Sequence, residues 1–357
     1  MLGFRTRAQQ LDRDTGDLTD TAVLDIGVQD TGPDGARWAL AVRGVDTSGL
    51  ASDELALAWT LRGAPHAYRR SDLPYVAAAV RPYSDADAGK RIFDASKPLK
   101  AAGIGNLEAL DAVAAQMRSL VTRPMVKGEV SGRLTPLMDE PYRRFCRPCD
   151  TIHLYEQPFR LAALRAGLEL EPGTSPPVLR PIAGFEPADR VPPKFDVVRA
   201  YLRLLRPTAP KDVAAYIDSP VKDVKARWPS DAVEVDAEGE RRWVLADDQP
   251  LLDAGPFRVV RLLAPFDLFL QARDRRLLVS DSDRAKSLWP TLGRPGAVLV
   301  DGDIVGTWRA RKAGAGLRVT VEPWGKITVA VGRKVRDHAR RLAEHRGLAL
   351  AEVAGLG

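Results

Sequence analysis

Between Asp196 and Leu245 the chain carries three short helical patterns followed by a hairpin, and few folds satisfy that order. Val197, Val198, Tyr201, Leu204 and Leu205 recur at helical spacing. Pro207 ends the run, since it lacks an N–H and clashes with the preceding turn. Pro210 to Ile217 predicts a second helix. Ser219-Pro220 predicts the start of a third, with serine as cap and proline at the first helical position. Val233 to Leu245 then alternates about a turn containing Gly239. Three helices and a hairpin form the winged-helix order, in which the third helix reads DNA; here it carries Lys222, Lys225 and Arg227. The same order occurs in protein-interaction modules, so the pattern alone leaves both partners open.

Upstream, the first 120 residues read as mostly helical with one hairpin. Leu55 to Leu61 is strand-like, Arg62-Gly63-Ala64-Pro65 turns, and His66 to Arg69 returns. Ser71-Asp72 predicts a cap for a helix from Leu73 to Val80, because a short oxygen side chain satisfies free backbone donors. This hairpin is expected as an exposed wing, with His66, Arg69 and Arg70 on DNA. In a second unit, helices are expected at Lys127 to Leu134, Glu140 to Arg147 and Gln157 to Leu168. Proline and glycine mark the linkers at 171–177 and 191–193. From Arg258 onward strands dominate. Val298 to Gly306 holds an Asp-Gly turn between apolar runs, and Trp308 to Glu322 predicts a second hairpin. A basic helix is expected from Arg333 to Leu350, with Val335, Ala339 and Leu342 on one stripe. The expected architecture is α+β: tandem winged-helix domains at 1–120, 121–190 and 191–255, then a C-terminal β-barrel at 256–357.

Composition narrows the function classes. The net charge of +6 favours a polyanionic partner but does not select one. No apolar run approaches a membrane span and no secretory h-region opens the chain, so a cytoplasmic protein without membrane contact is expected. The chain lacks a phosphate-binding Gly-x-x-x-x-Gly-Lys loop, a His-Glu-x-x-His metalloprotease pair and a Gly-x-Ser-x-Gly elbow.

Several segments resemble the AlkZ and YcaQ family of winged-helix DNA glycosylases. The strongest runs Leu262-Leu-Ala-Pro-Phe-Asp-Leu-Phe-Leu-Gln-Ala-Arg-Asp-Arg275, continued by Val300-Asp-Gly-Asp-Ile-Val-Gly-Thr-Trp-Arg309. Phe145-Cys-Arg-Pro-Cys149, His153 and Phe159 to Gly167 are similar to the family's middle winged helix. Gly27-Val-Gln-Asp-Thr31, ahead of Ala36 to Arg43, stands where the family keeps its catalytic motif. The resemblance implies a monofunctional glycosylase acting on alkylated purines in double-stranded DNA, bulky or crosslinked adducts included, without a cofactor. A monomer is expected, since a palindrome-reading regulator would show dimer symmetry.

The family motif is a glutamine, an apolar residue, then glutamine or aspartate; this chain has Gln29, Asp30 and Thr31 there. Hydrolysis of the glycosidic bond needs a water placed on the anomeric carbon while positive charge builds on the sugar. An N7-alkylated purine is already a cationic leaving group, so a neutral amide that orients water suffices. Gln29 fits that role, and Thr31 offers a hydroxyl of shorter reach. Asp30 supplies a base if its loop turns inward, and faces away if it alternates as in a strand. The bland alternative is a polar loop and helix cap ahead of Gly32-Pro33-Asp34. A non-catalytic regulator or lesion sensor on the same scaffold is the alternative function.

Cys146, Cys149 and His153 have metal-ligand character but fall one short of the four ligands of a closed zinc site. The expectation is therefore buried helix-turn packing, with no metal. In Tyr142-Arg-Arg-Phe145 helical spacing assigns Phe145 to the core and leaves Arg143 or Arg144 to solvent or DNA. Trp308 is expected to plug the barrel, with Arg309, Arg311 and Lys312 beside it as phosphate contacts.

Overall fold

The computed structural model describes residues 2–33, 35–50, 53–253, 255 and 258–356. In chain order the strands are β1 (Val28–Gln29), β2 (Leu55–Trp59), β3 (Pro65–Arg69), β4 (Met125–Val126), β5 (Arg143–Cys146), β6 (Thr151–Leu154), β7 (Leu168–Leu170) and β8 (Val178–Pro181). They continue as β9 (Ala232–Ala237), β10 (Glu240–Leu245), β11 (Val260–Leu263), β12 (Gly296–Val300), β13 (Asp303–Ala313), β14 (Gly316–Pro323) and β15 (Ala349–Ala354).

A six-stranded sheet in the order β1-β3-β2-β7-β8-β4 draws strands from both sides of residue 120. The β2–β3 hairpin expected as an exposed wing lies inside it, with β1 on one side and β7 on the other. Both edges of the ribbon are thus occupied, and its side chains are covered. Asp72 begins the Leu73–Ala79 helix, but its carboxylate accepts from Arg69 at 2.9 Å instead of capping the helix backbone.

In the 196–245 region the structure follows the expected order. The Val197–Leu205 helix starts where Asp196 accepts from the Arg199 amide at 2.8 Å. It buries Val197, Val198, Tyr201, Leu202, Leu204 and Leu205. Each such side chain contributes roughly 1.5–3 kcal/mol, so a charge at Leu204 would destroy this helix's packing. Helices Pro210–Ile217 and Val221–Ala226 follow, then the β9–β10 hairpin turning at Glu238 and Gly239, both with positive φ. Pro220 precedes the third helix rather than occupying its first position.

Two expected helices differ. Glu140–Tyr142 is a single 3-10 turn, and residues expected to continue it form the β5–β6 hairpin. At the other end the basic helix spans Val329–His345 and gives way to β15, which pairs parallel with β14. Gly347 (φ 65°) makes that turn.

Strands β11-β12-β13-β14-β15 form a curled half-barrel, with its first and last strands unpaired to each other. The expected β-barrel is thus present as a half-barrel, for a steric reason. The 329–345 helix packs against both β11 and β15 and lays Val335, Ala339 and Leu342, all fully buried, into the opening. Trp308 is buried as expected, its indole N–H donating to the Leu263 carbonyl at 2.9 Å.

One hydrophobic core joins residues 11–45 to the 197–224 helices, the half-barrel and the 335–343 stripe. A second surrounds Trp59 and the Asn106–Leu120 helix. No helix among the described residues is long and apolar enough to cross a membrane.

Candidate active site

β1 ends at Gln29, which pairs with His66 of β3, and the Asp30 amide donates to the Pro65 carbonyl at 2.8 Å. The chain then leaves the sheet. Asp30 Oδ1 accepts from the Ala36 amide at 2.8 Å and so caps the Gly35–Ala41 helix. Gly35 is required there: a Cβ would stand 1.9 Å from that oxygen, and φ is +37°. Asp30 thus takes the helix-cap role of the two that the sequence leaves open. Asp34 lies outside the described residues.

The Gln29 side chain meets three other parts of the chain. Its Oε1 accepts from Gln271 Nε2 at 2.6 Å and from an Arg62 terminal nitrogen at 3.1 Å, and its Nε2 donates to Thr31 Oγ1 at 3.0 Å. A guanidinium only donates, so Arg62 fixes which end of the Gln29 amide is oxygen. Arg62 sits in the β2–β3 turn at φ 59°. Its other terminal nitrogen donates to the Tyr216 carbonyl at 2.7 Å, and its guanidinium lies 4.5 Å from the centre of the Tyr216 ring. Gln271 ends the 3-10 turn Leu268–Gln271 and also donates to the Phe266 carbonyl at 3.2 Å. The site therefore lies where the sheet, the 210–217 helix and the half-barrel converge.

With both Oε1 lone pairs engaged, Gln29 keeps one amide hydrogen free and Thr31 keeps one acceptor position free. Those two groups can hold a water between a donor and an acceptor. Among the described residues no carboxylate is hydrogen-bonded to the Gln29 or Thr31 side chain.

Three further arginines gather at the same turn. Arg294 lies over the Phe266 ring at 4.9 Å, and Arg275 over Trp289 at 4.9 Å, whose indole donates to the Leu270 carbonyl. Arg273 and Arg294 have no side-chain hydrogen bond or ion pair among the described residues, and each has a buried Nε without a partner. Burial first, then the positive charge of neighbouring arginines including Arg62, pushes the pKa of both down. Asp274, between Arg273 and Arg275, faces the opposite way into a buried contact with Arg5 at 2.8 Å and Arg242 at 3.1 Å. Among the described residues Arg273 and Arg294 thus lack an ion-pair partner while the intervening carboxylate is committed elsewhere. Arg62, Gln271, Arg273 and Arg294 were not singled out from sequence; the Gln-Ala-Arg-Asp-Arg alternation at 271–275 is a local signal for Gln271 and Arg273 alone.

The expected DNA contacts separate into exposed and buried groups. Lys222, Lys225 and Arg227 are exposed on and just after the 221–226 helix, and Arg309, Arg311 and Lys312 are exposed on β13. Arg144 is exposed and Arg143 half-buried on β5. Arg70 is half-buried and bidentate on Glu169 at 2.9 and 3.1 Å. Arg69 is buried and bonded to Asp25, Asp72 and the Thr21 carbonyl, so its charge is spent inside the fold. His66 is 1% exposed, with Nδ1 near the Ala64 carbonyl (2.9 Å) and Thr60 Oγ1 (3.1 Å). Desolvation, helped by Arg62, lowers its pKa to about 3. As placed, Arg69 and His66 present no surface to a duplex. Phe145, expected in the core, is 59% exposed.

Comparison with known proteins shows the family and the fold. Residues 25–345 match the family model "DNA glycosylase AlkZ-like", and the chain belongs to that family of DNA glycosylases. Among solved structures it is similar to the DNA glycosylase AlkZ of Streptomyces sahachiroi, at 19% identity and a TM-score of 0.73, over 99% of this chain and 97% of that one. No curated protein sequence matches it.

Proposed function

We propose that this chain is a monofunctional glycosylase that hydrolyses the N-glycosidic bond of N7-alkylated purines in double-stranded DNA, bulky or crosslinked adducts included. It acts as a monomer in the cytoplasm and uses no cofactor. The carrying observation is the makeup of the Gln29 site: two amides, a hydroxyl and a guanidinium, with no carboxylate hydrogen-bonded to them among the described residues. Such a site lacks a strong base and suits a substrate whose base is already a cationic leaving group. A water held by the Gln29 amide hydrogen and Thr31 Oγ1 adds its oxygen to the anomeric carbon. The glycosidic bond breaks with its electron pair going to the alkylated purine, which leaves neutral, and the water's proton passes to solvent.

In this reading the 197–245 region acts as a winged helix, with Lys222, Lys225 and Arg227 on DNA. Arg309, Arg311 and Lys312 approach the backbone from the half-barrel, Arg143 and Arg144 from the β5–β6 hairpin, and Arg70 from the end of β3. The arginines around Gln271 would be neutralised by backbone phosphates, so the site becomes electrostatically balanced only with DNA present.

The test is single-turnover release of 7-methylguanine from methylated duplex, with abasic sites scored by alkaline cleavage. Release by the wild-type chain supports the reading. Tight duplex binding without release from small or bulky N7 adducts would leave a lesion sensor or regulator instead.

A further inference from the structure

The β5–β6 hairpin brings together Cys146, Cys149 and His153, which the sequence singles out as a three-ligand set. Cys146 pairs with Thr151 and Arg144 with His153, so Cys146 and His153 lie on one face as diagonal neighbours. The 3-10 turn Arg147–Cys149, followed by Asp150 at φ 49°, folds Cys149 back toward them. The ligand atoms of Cys146, Cys149 and His153 all lie within 4.8 Å of one another.

His153 Nδ1 stands 2.6 Å from the Leu154 carbonyl. A carbonyl only accepts, so Nδ1 carries the proton and Nε2 presents its lone pair, the tautomer of a metal ligand whose ring is held from behind. Tetrahedral zinc places such donors about 3.5 Å apart, a small contraction from the observed spread.

The packing that was expected to explain these residues is absent. Cys149 is exposed, and the cross-strand pair Phe145 and Ile152 on the opposite face is 59% and 56% exposed. Of the ribbon's four residue pairs only Leu154, at the end away from the turn, enters a core, so the turn end has no apolar packing to hold it. We propose that Cys146, Cys149 and His153 bind one zinc ion that staples the turn of this hairpin, leaving its fourth position to water. Two thiolates and an imidazole suit zinc over the hard cations magnesium and calcium. The ion braces the strand carrying Arg143 and Arg144, and the inference is independent of the glycosylase reading.

The experiment uses untagged full-length protein. Metal analysis should find about one zinc per chain. After chelation under reducing conditions, cobalt(II) should bind with one-to-one stoichiometry and give a thiolate-to-cobalt charge-transfer band. Cys149→Ser and His153→Gln should each weaken cobalt binding on the order of 10²-fold. His153→Gln keeps both thiols and serves if the serine variant misfolds. A wild-type chain with reduced thiols, no zinc and no cobalt band overturns the proposal, as does unchanged cobalt affinity in both variants.

Discussion

Arg43 sets both terminal nitrogens on the Asp267 carboxylate, at 2.7 and 2.9 Å, and neither side chain is reached by solvent. The pair joins the segment after Gln29 to the turn carrying Gln271, while the Trp38 indole donates to the Leu262 carbonyl at 2.8 Å alongside. A buried guanidinium stripped of its counter-charge is strongly destabilising, so Asp267→Asn should lose about 3–5 kcal/mol in urea denaturation. The double replacement Arg43→Met with Asp267→Leu should recover most of that loss. Equal damage in the single and double variants would show that charge burial is not the cause.

Gln29→Ala should slow single-turnover excision by about 10²-fold or more while duplex affinity stays nearly constant, because the lost contact acts in the transition state. Thr31→Val, which keeps the shape and removes the acceptor, should fall similarly. Thr31→Gln should preserve or raise activity. Asp30→Asn should act mainly on stability, since its carboxylate caps the 35–41 helix; a loss of excision matching Gln29→Ala would make Asp30 the base.

What was legible in the sequence follows physical range. The 197–245 helices were readable because Asp196, Pro207, Pro210 and Gly239 act on their own neighbours. The half-barrel hairpins were readable for the same reason at Asp301-Gly302 and Gly314. Arg62, Tyr216 and Gln271 carry no shared local pattern, and only long-range packing brings them to Gln29. Tyr142 to Phe145 fits helical spacing equally well, and the decisive fact, pairing with Thr151 to Leu154, lies outside that window. His66 and Arg69 look like wing residues until β1 and β7 cover both sides of their hairpin.

The Arg273 and Arg294 guanidiniums repel their neighbours and, among the described residues, form no hydrogen bond or ion pair. Arg273→Gln and Arg294→Gln should therefore leave the melting temperature unchanged or raised while weakening DNA binding. Each should reduce the slope of log affinity against log salt by roughly one. The wild-type slope should be about −4 to −5, as expected for four to six neutralised phosphates. Variants that melt early with an unaltered salt slope would make these residues structural.

His66 and His338 are both buried with pKa values lowered to about 3, by desolvation first and then by nearby arginines. Above pH 6.5 both states leave the rings neutral and the effect vanishes. As pH falls from about 6.5 toward 3 the unfolded chain takes up protons that the folded chain refuses, so stability drops, by up to about 1.4 kcal/mol per pH unit for each ring. Denaturation across that range should show the loss, and His338→Leu should remove about half of the histidine contribution. An identical slope in the variant would assign the acid sensitivity to other groups.

The 329–345 helix that fills the open side of the half-barrel also has a consequence for how the chain is assembled. Its buried stripe belongs to the same core as Leu11 to Val45, so the first and last parts of the polypeptide complete one interior. During synthesis the amino-terminal segment cannot reach its final packing until the carboxy-terminal helix has left the ribosome. Contacts of such high sequence separation form late and slowly. Residue Gln29 is thus made early, while the core beside its segment closes last: a shortened chain ending before Val329 would carry every residue of the site and still lack Val335, Ala339 and Leu342 in that core.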